Sequence, residues 1–153
     1  MTLKYTERMF VHLLNQAGHA ISADFVKVLR ERGMTVRQWR VLGSLWDEAS
    51  LTLTELAEVA FCGHSTITRL VDRLQDQGLV VRRADELDRR KAHVSLTLEA
   101  RRQIGDLVAI SEDMERATID ALGVELVNKM KGELREMIAR LGETRRNGRR
   151  SAG

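Results

Sequence analysis

Apolar residues recur at helical spacing along almost the whole chain, and this period breaks down between residues 79 and 96. The chain has no proline, so the residue that most often interrupts a helix is absent. Within the break, Leu79–Arg83 and Ala92–Leu96 are short and rich in β-branched residues, and the polar turn Ala84–Lys91 separates them. The pattern therefore predicts a mainly α protein with a small β-hairpin.

Helix-start and helix-stop signals divide the remaining sequence into six predicted helices. Thr35 and Thr52 are each followed three residues later by Gln or Glu, which is the capping-box pattern. Gly33 and Gly78 fit the position just after a helix end. The first three predicted helices run over Leu3–Arg32, from Thr35 to an end between Asp47 and Ser50, and from Thr52 to a tight break at Phe61-Cys62-Gly63. The last three run over His64–Gln77, from Thr97 (with Leu98 and Ile104 inward) to a break at Gly123, and over Val124–Leu141.

The net charge of +3 does not by itself indicate a nucleic-acid partner. Residues 143–153 hold four arginines and one glutamate, so residues 1–142 sum to about zero. A nucleic-acid argument must therefore rest on local clusters. The single cysteine, Cys62, excludes an intrachain disulfide, and we see neither a signal peptide nor an apolar run that could span a bilayer. These features favour a cytoplasmic protein without membrane contact.

Two short helices joined by a tight, glycine-containing turn and followed by a hairpin predict a winged helix-turn-helix. The second helix, His64–Gln77, has an apolar stripe on one side only. Hydroxyl groups near its start can approach base edges closely, and its arginines can make bidentate contacts to guanine or phosphate. The alternative is an ordinary solvated helix face. The polar side carries Ser65, Thr66, Thr68, Arg69 and Arg73.

The hairpin tip gives a second indication of DNA binding. It reads Asp88-Arg89-Arg90-Lys91, and three consecutive cations suit the negative potential of a narrow minor groove. A carboxylate there repels phosphate, but Asp88 can hold a neighbouring arginine in a fixed pose. The alternative is an ordinary charged loop.

Four short motifs, in this order and spacing, resemble the MarR family of winged-helix regulators. They are Leu70-Val-Asp-Arg-Leu74, Gly78-Leu-Val, Asp88-Arg89-Arg90 and Val94-Ser-Leu-Thr97. The resemblance covers Thr35–Thr97. It implies that the polar side of the fourth helix enters the major groove, that Arg90 enters the minor groove, and that Asp88 orients Arg90.

The first and last helices carry more apolar surface than a winged domain can cover, so we expect a homodimer that reads a pseudo-palindromic site in double-stranded DNA. The alternative is a monomer whose helices fold back on the domain. The predicted organisation is a dimerisation helix over 1–33, a winged helix-turn-helix DNA-binding domain over 34–97, dimerisation helices over 98–142 and a disordered basic tail over 143–153.

The resemblance also implies a small aromatic or phenolic ligand, because family members often bind aromatic acids between the dimer helices and the winged domain. The candidate effector residues are His12, His19, Trp39 and Arg40. For each of them, an ordinary core or surface role is the stronger interpretation. Since no activation domain is visible, a repressor released by such a ligand is the simplest expectation.

Other function classes fit the sequence less well. It has no phosphate loop, no His/Cys metal cluster and no plausible catalytic set, so we expect neither an enzyme nor a bound metal or cofactor. A winged-helix protein-interaction module without DNA binding is one alternative. A thiol-responsive regulator is another, because Cys62 lies near a helix start, although a buried structural cysteine is the better explanation of this residue.

Overall fold

The structure is a computed structural model that describes residues 4–85 and 91–150, with side chains to residue 143. Helices dominate, and the strands form a small antiparallel sheet, so the predicted mainly α fold with a hairpin is confirmed. The described elements are α1 (Tyr5–Arg8), α2 (Phe10–Glu31), α3 (Val36–Asp47), β1 (Leu51–Thr52), α4 (Leu53–Val59), α5 (His64–Asp76), β2 (Val80–Ala84), β3 (Ala92–Leu96), α6 (Leu98–Leu122) and α7 (Val124–Arg150).

Two predicted capping boxes begin α3 and α4. The Thr35 hydroxyl accepts a hydrogen bond from the Gln38 backbone N–H (3.2 Å), and the Gln38 side-chain oxygen accepts one from the Thr35 N–H (2.8 Å). Thr52 and Glu55 repeat the arrangement at 3.3 and 2.7 Å. Both helix starts are therefore confirmed, and backbone N–H groups that a helix start leaves without partners are satisfied.

Thr97 begins α6 and also ties it to the end of α5. Its hydroxyl accepts a hydrogen bond from the Ala100 N–H (2.9 Å) and donates one to the Gly78 carbonyl (2.8 Å). The predicted N-cap is confirmed. The predicted inward position of Leu98 is wrong, because this side chain is 69% exposed. The cap sets the helix phase so that Ala100, not Leu98, shares the buried face with Ile104.

The sheet has the strand order β1-β3-β2. The predicted hairpin is confirmed: Val80 pairs with Leu96 at one end and Ala84 with Ala92 at the other. Strand β1 was not predicted. It pairs Thr52 with His93, so the residue that caps α4 also lies beside the wing.

The ends of the chain differ from the sequence prediction. The first helix is not continuous, because Met9 has an extended backbone (φ −83°, ψ 115°) and separates α1 from α2. The Glu7 carboxylate accepts a hydrogen bond from the Lys4 N–H, which closes α1 as a separate turn. The last helix continues to Arg150, beyond the predicted end at Leu141 and into the segment predicted to be disordered. Gly142 does not end it, since one glycine costs a helix interior only about 1 kcal/mol.

The described residues form two compact units, divided between Glu112 and Asp113. In the first unit, the core is formed mainly by side chains of α3, α4, α5 and the strands, whereas α2 leaves large apolar side chains exposed. In the second unit, Val127 is buried and Lys131 pairs with Glu115. The exposed large apolar residues of the second unit are Leu122, Val124, Leu126, Met130, Ile138 and Leu141.

Candidate nucleic-acid interface

Helix α5 is anchored by a fully buried stripe. Ile67, Val71 and Leu74 have no exposed surface, and each lies three or four residues from the next. Burial of this stripe stabilises the helix by about 1.5–3 kcal/mol per side chain and fixes its rotation. The opposite face is therefore held outward.

The outward face carries four of the five residues predicted for it in exposed positions: Ser65, Thr66, Arg69 and Arg73. Thr68 is half-buried, and its hydroxyl donates a hydrogen bond to the His64 carbonyl (2.8 Å). The helix thus presents two small hydroxyl side chains near its start and two guanidinium groups further along. This is the chemistry that major-groove base edges and flanking phosphates accept.

A groove of about 350 Å³ runs between α3 and this face of α5. Its lining places Arg37 with Arg69 and Arg73, so three guanidinium groups border one concavity. In the part of the chain that the structure describes, none of the three has a carboxylate within salt-bridge distance. Their charge is therefore available to an anion. Arg37 was not among the residues predicted from the sequence, because only the tertiary fold brings α3 beside α5.

The turn between α4 and α5 is tight, as predicted, but its unusual residue is not the glycine. Phe61 has φ +50°, whereas Gly63 has an ordinary φ of −76° and caps α5. The Phe61 N–H donates to the Glu58 carbonyl at 3.1 Å. Cys62 is half-buried and packs against the core, which supports a structural role; its thiol response stays a prediction.

The base of the wing is held by polar contacts. The Asp85 N–H donates to the Lys91 carbonyl (3.0 Å), and the Asp85 carboxylate lies 2.8 Å from His93 Nε2. On β2, Arg82 lies 3.7 Å from Asp72 of α5, so an ion pair links wing and helix. Neither the Asp85–His93 contact nor the Arg82–Asp72 ion pair was predicted from the sequence, since each joins residues eight or more positions apart.

The predicted tip residues fall mostly outside the described residues. This is the case for Asp88, Arg89 and Arg90. Lys91 is described and is exposed at the start of the returning strand. The minor-groove role of the tip therefore stays a prediction.

The four candidate effector residues do not converge within the chain. The Trp39 ring packs edge-on against Phe25 of α2, with centroids 5.1 Å apart, whereas the Arg40 guanidinium lies 4.7 Å from the centre of the Phe61 ring. His12 and His19 lie on α2, roughly 120–140° around the helix axis from Phe25 at 100° per residue. The helix face that packs against α3 is therefore not the face of the histidines.

Two features of residues 4–85 and 91–150 concern metal binding and membrane insertion. No group of three or more His, Cys, Asp or Glu side chains is placed to hold a metal ion. No described helix combines the length and apolar character needed to cross a membrane.

Comparison with known proteins decides the family. The model of the MarR family matches residues 32–91. The chain is 31% identical to a MarR family transcriptional regulator from Silicibacter pomeroyi DSS-3, and the two structures superpose with a TM-score of 0.81 over 91% of this chain and 99% of that one. The chain belongs to the MarR family. The resemblance read from its motifs, and the winged helix-turn-helix fold, are thereby confirmed.

Two further relatives of this MarR family protein have more specific names. The homoprotocatechuate degradative operon repressor of Escherichia coli is 28% identical over 132 residues, which is 86% of this chain and 88% of that protein. The structure of NadR in complex with 4-hydroxyphenylacetate is 26% identical, with a TM-score of 0.79 over 90% of this chain and 97% of that one. The family is one of transcriptional regulators, not enzymes.

Proposed function

We propose that this MarR family protein is a regulator that binds specific sequences in double-stranded DNA through α5. The observation that carries the proposal is the division of α5 into two faces. Ile67, Val71 and Leu74 are wholly buried, while Thr66 and Arg69 project outward beside the arginine-lined groove. Because the buried face fixes the position of the helix, its exposed side chains can reach base edges without a prior ordering of the helix.

The proposed DNA surface continues from α5 to the wing. Ser65, Thr66, Thr68, Arg69 and Arg73 would face the major groove. Asp88, Arg89, Arg90 and Lys91 would meet the adjacent minor groove, with Asp88 orienting Arg90. The ion pair between Arg82 and Asp72 supports this arrangement, because it couples the wing to the helix that it would flank.

We further propose a homodimer that reads a pseudo-palindromic site. The exposed apolar residues of α2 and of the second unit support it, because water contact with so many large side chains is costly. Residues 34–97 would then form the DNA-binding domain, and residues 1–33 and 98–142 the dimerisation helices. Two half-sites about one helical turn of DNA apart would match the two-fold symmetry.

The test is duplex binding across salt concentrations, with variants of the α5 face. Log affinity should fall linearly as log salt rises, because bound cations release counterions from the phosphates. Arg69→Ala and Arg73→Ala should each weaken binding by about 1–3 kcal/mol if they read guanine, or lower the salt slope by about 1 if they bind phosphate. Arg102→Ala is the matched control, since Arg102 is an exposed arginine on α6, paired with Glu99.

Wild-type affinity in both α5 variants would contradict the proposed interface. Absent binding, or binding that does not respond to salt, would favour the protein-interaction alternative.

A second proposal is that the protein is a repressor released by a small aromatic acid. It is supported by the 4-hydroxyphenylacetate complex of NadR and by the name of the E. coli repressor, and the four candidate residues would require contributions from more than one chain. In the same assay, 4-hydroxyphenylacetate should lower DNA affinity in the wild type, and His12→Ala or Trp39→Ala should blunt the response. Unchanged affinity at millimolar acid would count against release by this compound.

A further inference from the structure

The turn that leads into α5 contains a residue with left-handed backbone geometry that is not a glycine. Four described residues have a positive φ, and three are glycines: Gly33, Gly78 and Gly123. The fourth is Phe61. Left-handed backbone is unfavourable for a residue with a Cβ, so Phe61 makes the fold less stable than a glycine would at this position.

The same backbone hydrogen bonds form whether the residue is glycine or phenylalanine. At the end of α5, the Gly78 N–H returns to the Gln75 carbonyl at 2.9 Å. At the end of α4, the Phe61 N–H returns to Glu58 at 3.1 Å. The turn itself therefore does not require an aromatic side chain, and the reason for Phe61 must lie in what its ring contacts.

Core packing does not supply that reason. The Phe61 side chain is 76% exposed. Its ring lies under the guanidinium of Arg40, 4.7 Å from the carbon at the centre of that group. Among the described residues, Arg40 has no carboxylate within salt-bridge distance, so its charge is held by the ring but not neutralised.

Arg40 lies on the same side of α3 as the arginine that borders the groove. Arg37 and Arg40 are three residues apart on this helix and hence share a face. Arg37 lines the groove with Arg69, and Phe61 precedes the first turn of α5. Arg37 therefore lies at the groove, and Arg40 lies on the same face of α3, nearer to the start of α5.

We propose that Arg40 binds a DNA phosphate at the edge of the α5 surface, instead of the effector for which the sequence made it a candidate, and that Phe61 is its positioning residue. This inference rests on the proposed DNA-binding function. A guanidinium lying on a ring keeps its in-plane N–H donors free for a phosphate while its rotation is restricted. The strained backbone is then retained because it places the ring where Arg40 needs it.

The experiment uses the full chain and a duplex selected from random sequences by the wild-type protein. Arg40→Ala should lower affinity about 5-fold and reduce the salt slope by about 0.9, as expected for one phosphate contact. Phe61→Gly should raise the midpoint of thermal unfolding by about 2–4 °C, yet weaken DNA binding as much as Arg40→Ala does. The double variant should bind no more weakly than either single variant.

Three further variants make the result decisive. Phe61→Asn tolerates the left-handed backbone without an aromatic ring and should behave as Phe61→Gly does. Phe61→Trp should keep wild-type affinity, because the indole ring supports a cation at least as well. Arg102→Ala should change nothing.

Wild-type DNA affinity in Phe61→Gly and Phe61→Asn would overturn the positioning role of Phe61. The same conclusion would follow if the affinity losses of Arg40→Ala and Phe61→Gly multiplied in the variant that combines them. If Arg69→Ala weakens binding while Arg40→Ala does not, this inference fails and the DNA-binding function stands. If the wild type shows no salt-dependent binding to any duplex, the proposed function itself fails.

Discussion

Glu55 shows how one carboxylate can set a helix start. The Thr52 backbone N–H donates to Glu55 Oε2 at 2.7 Å, and the Thr52 hydroxyl donates to the same oxygen at 2.7 Å. These hydrogen bonds, first the backbone one and then that of the hydroxyl, lower the pKa of Glu55 below its ordinary value of 4.5; nearby His93 adds a smaller effect in the same direction. The ionised carboxylate is thus the form that the fold favours.

A pH dependence of stability follows from this lowered pKa. Above pH 4.5 Glu55 is charged and its contribution is fully present; as pH falls through the lowered folded-state pKa, the contribution is lost. We expect Glu55→Gln to lower the free energy of unfolding by about 0.5 kcal/mol at pH 7, because the site is exposed and screened, and by less near pH 3. Urea unfolding at the two pH values measures this.

The control is Glu58→Gln, which removes an exposed carboxylate from the same helix without touching the cap. An equal loss at both pH values for Glu55→Gln would show that its charge does not contribute.

Elements whose signals are local could be predicted from the sequence. The α5 stripe, the capping boxes at Thr35 and Thr52, and the hairpin depend on residues a few positions apart. The outward face of α5 followed directly, since a buried stripe leaves only one side for contact. The exposed residues of this face could therefore be predicted without knowledge of the tertiary fold.

Elements that depend on partners distant along the chain could not be predicted from the sequence. Strand β1 has two residues, too few to show a period of two, and its partner β3 lies about forty residues further on. The backbone switch at Met9 changes one residue within an unbroken apolar pattern. The tight break at Phe61-Cys62-Gly63 could be predicted, but the sequence does not indicate that Phe61, and not the glycine, has the left-handed backbone.

At the scale of the whole molecule, the exposed apolar side chains predict the assembly. Ile138 and Leu141 of α7 are 67% and 53% exposed. We expect Ile138→Glu combined with Leu141→Glu to shift the protein from dimer to monomer, because a buried unpaired carboxylate opposes association. Sedimentation equilibrium measures the mass. DNA affinity should fall when the dimer dissociates, since a dimer that contacts two linked half-sites binds far more tightly than a monomer that contacts one.

Lys129→Glu is the control, because it introduces the same charge on the opposite side of α7, nine residues and therefore about half a turn from Ile138. A double variant that stays dimeric would place the interface elsewhere.

The hydroxyl of Thr97 connects the start of the long helix α6 with the end of α5 through hydrogen bonds. It holds the first turn of α6 and the carbonyl of Gly78, the residue that closes α5. A displacement of the first turn of α6 relative to α5 would lengthen or break these hydrogen bonds. For the proposed DNA-binding function, the Thr97 hydroxyl is therefore the contact through which a displacement of the first turn of α6 would reach the end of α5.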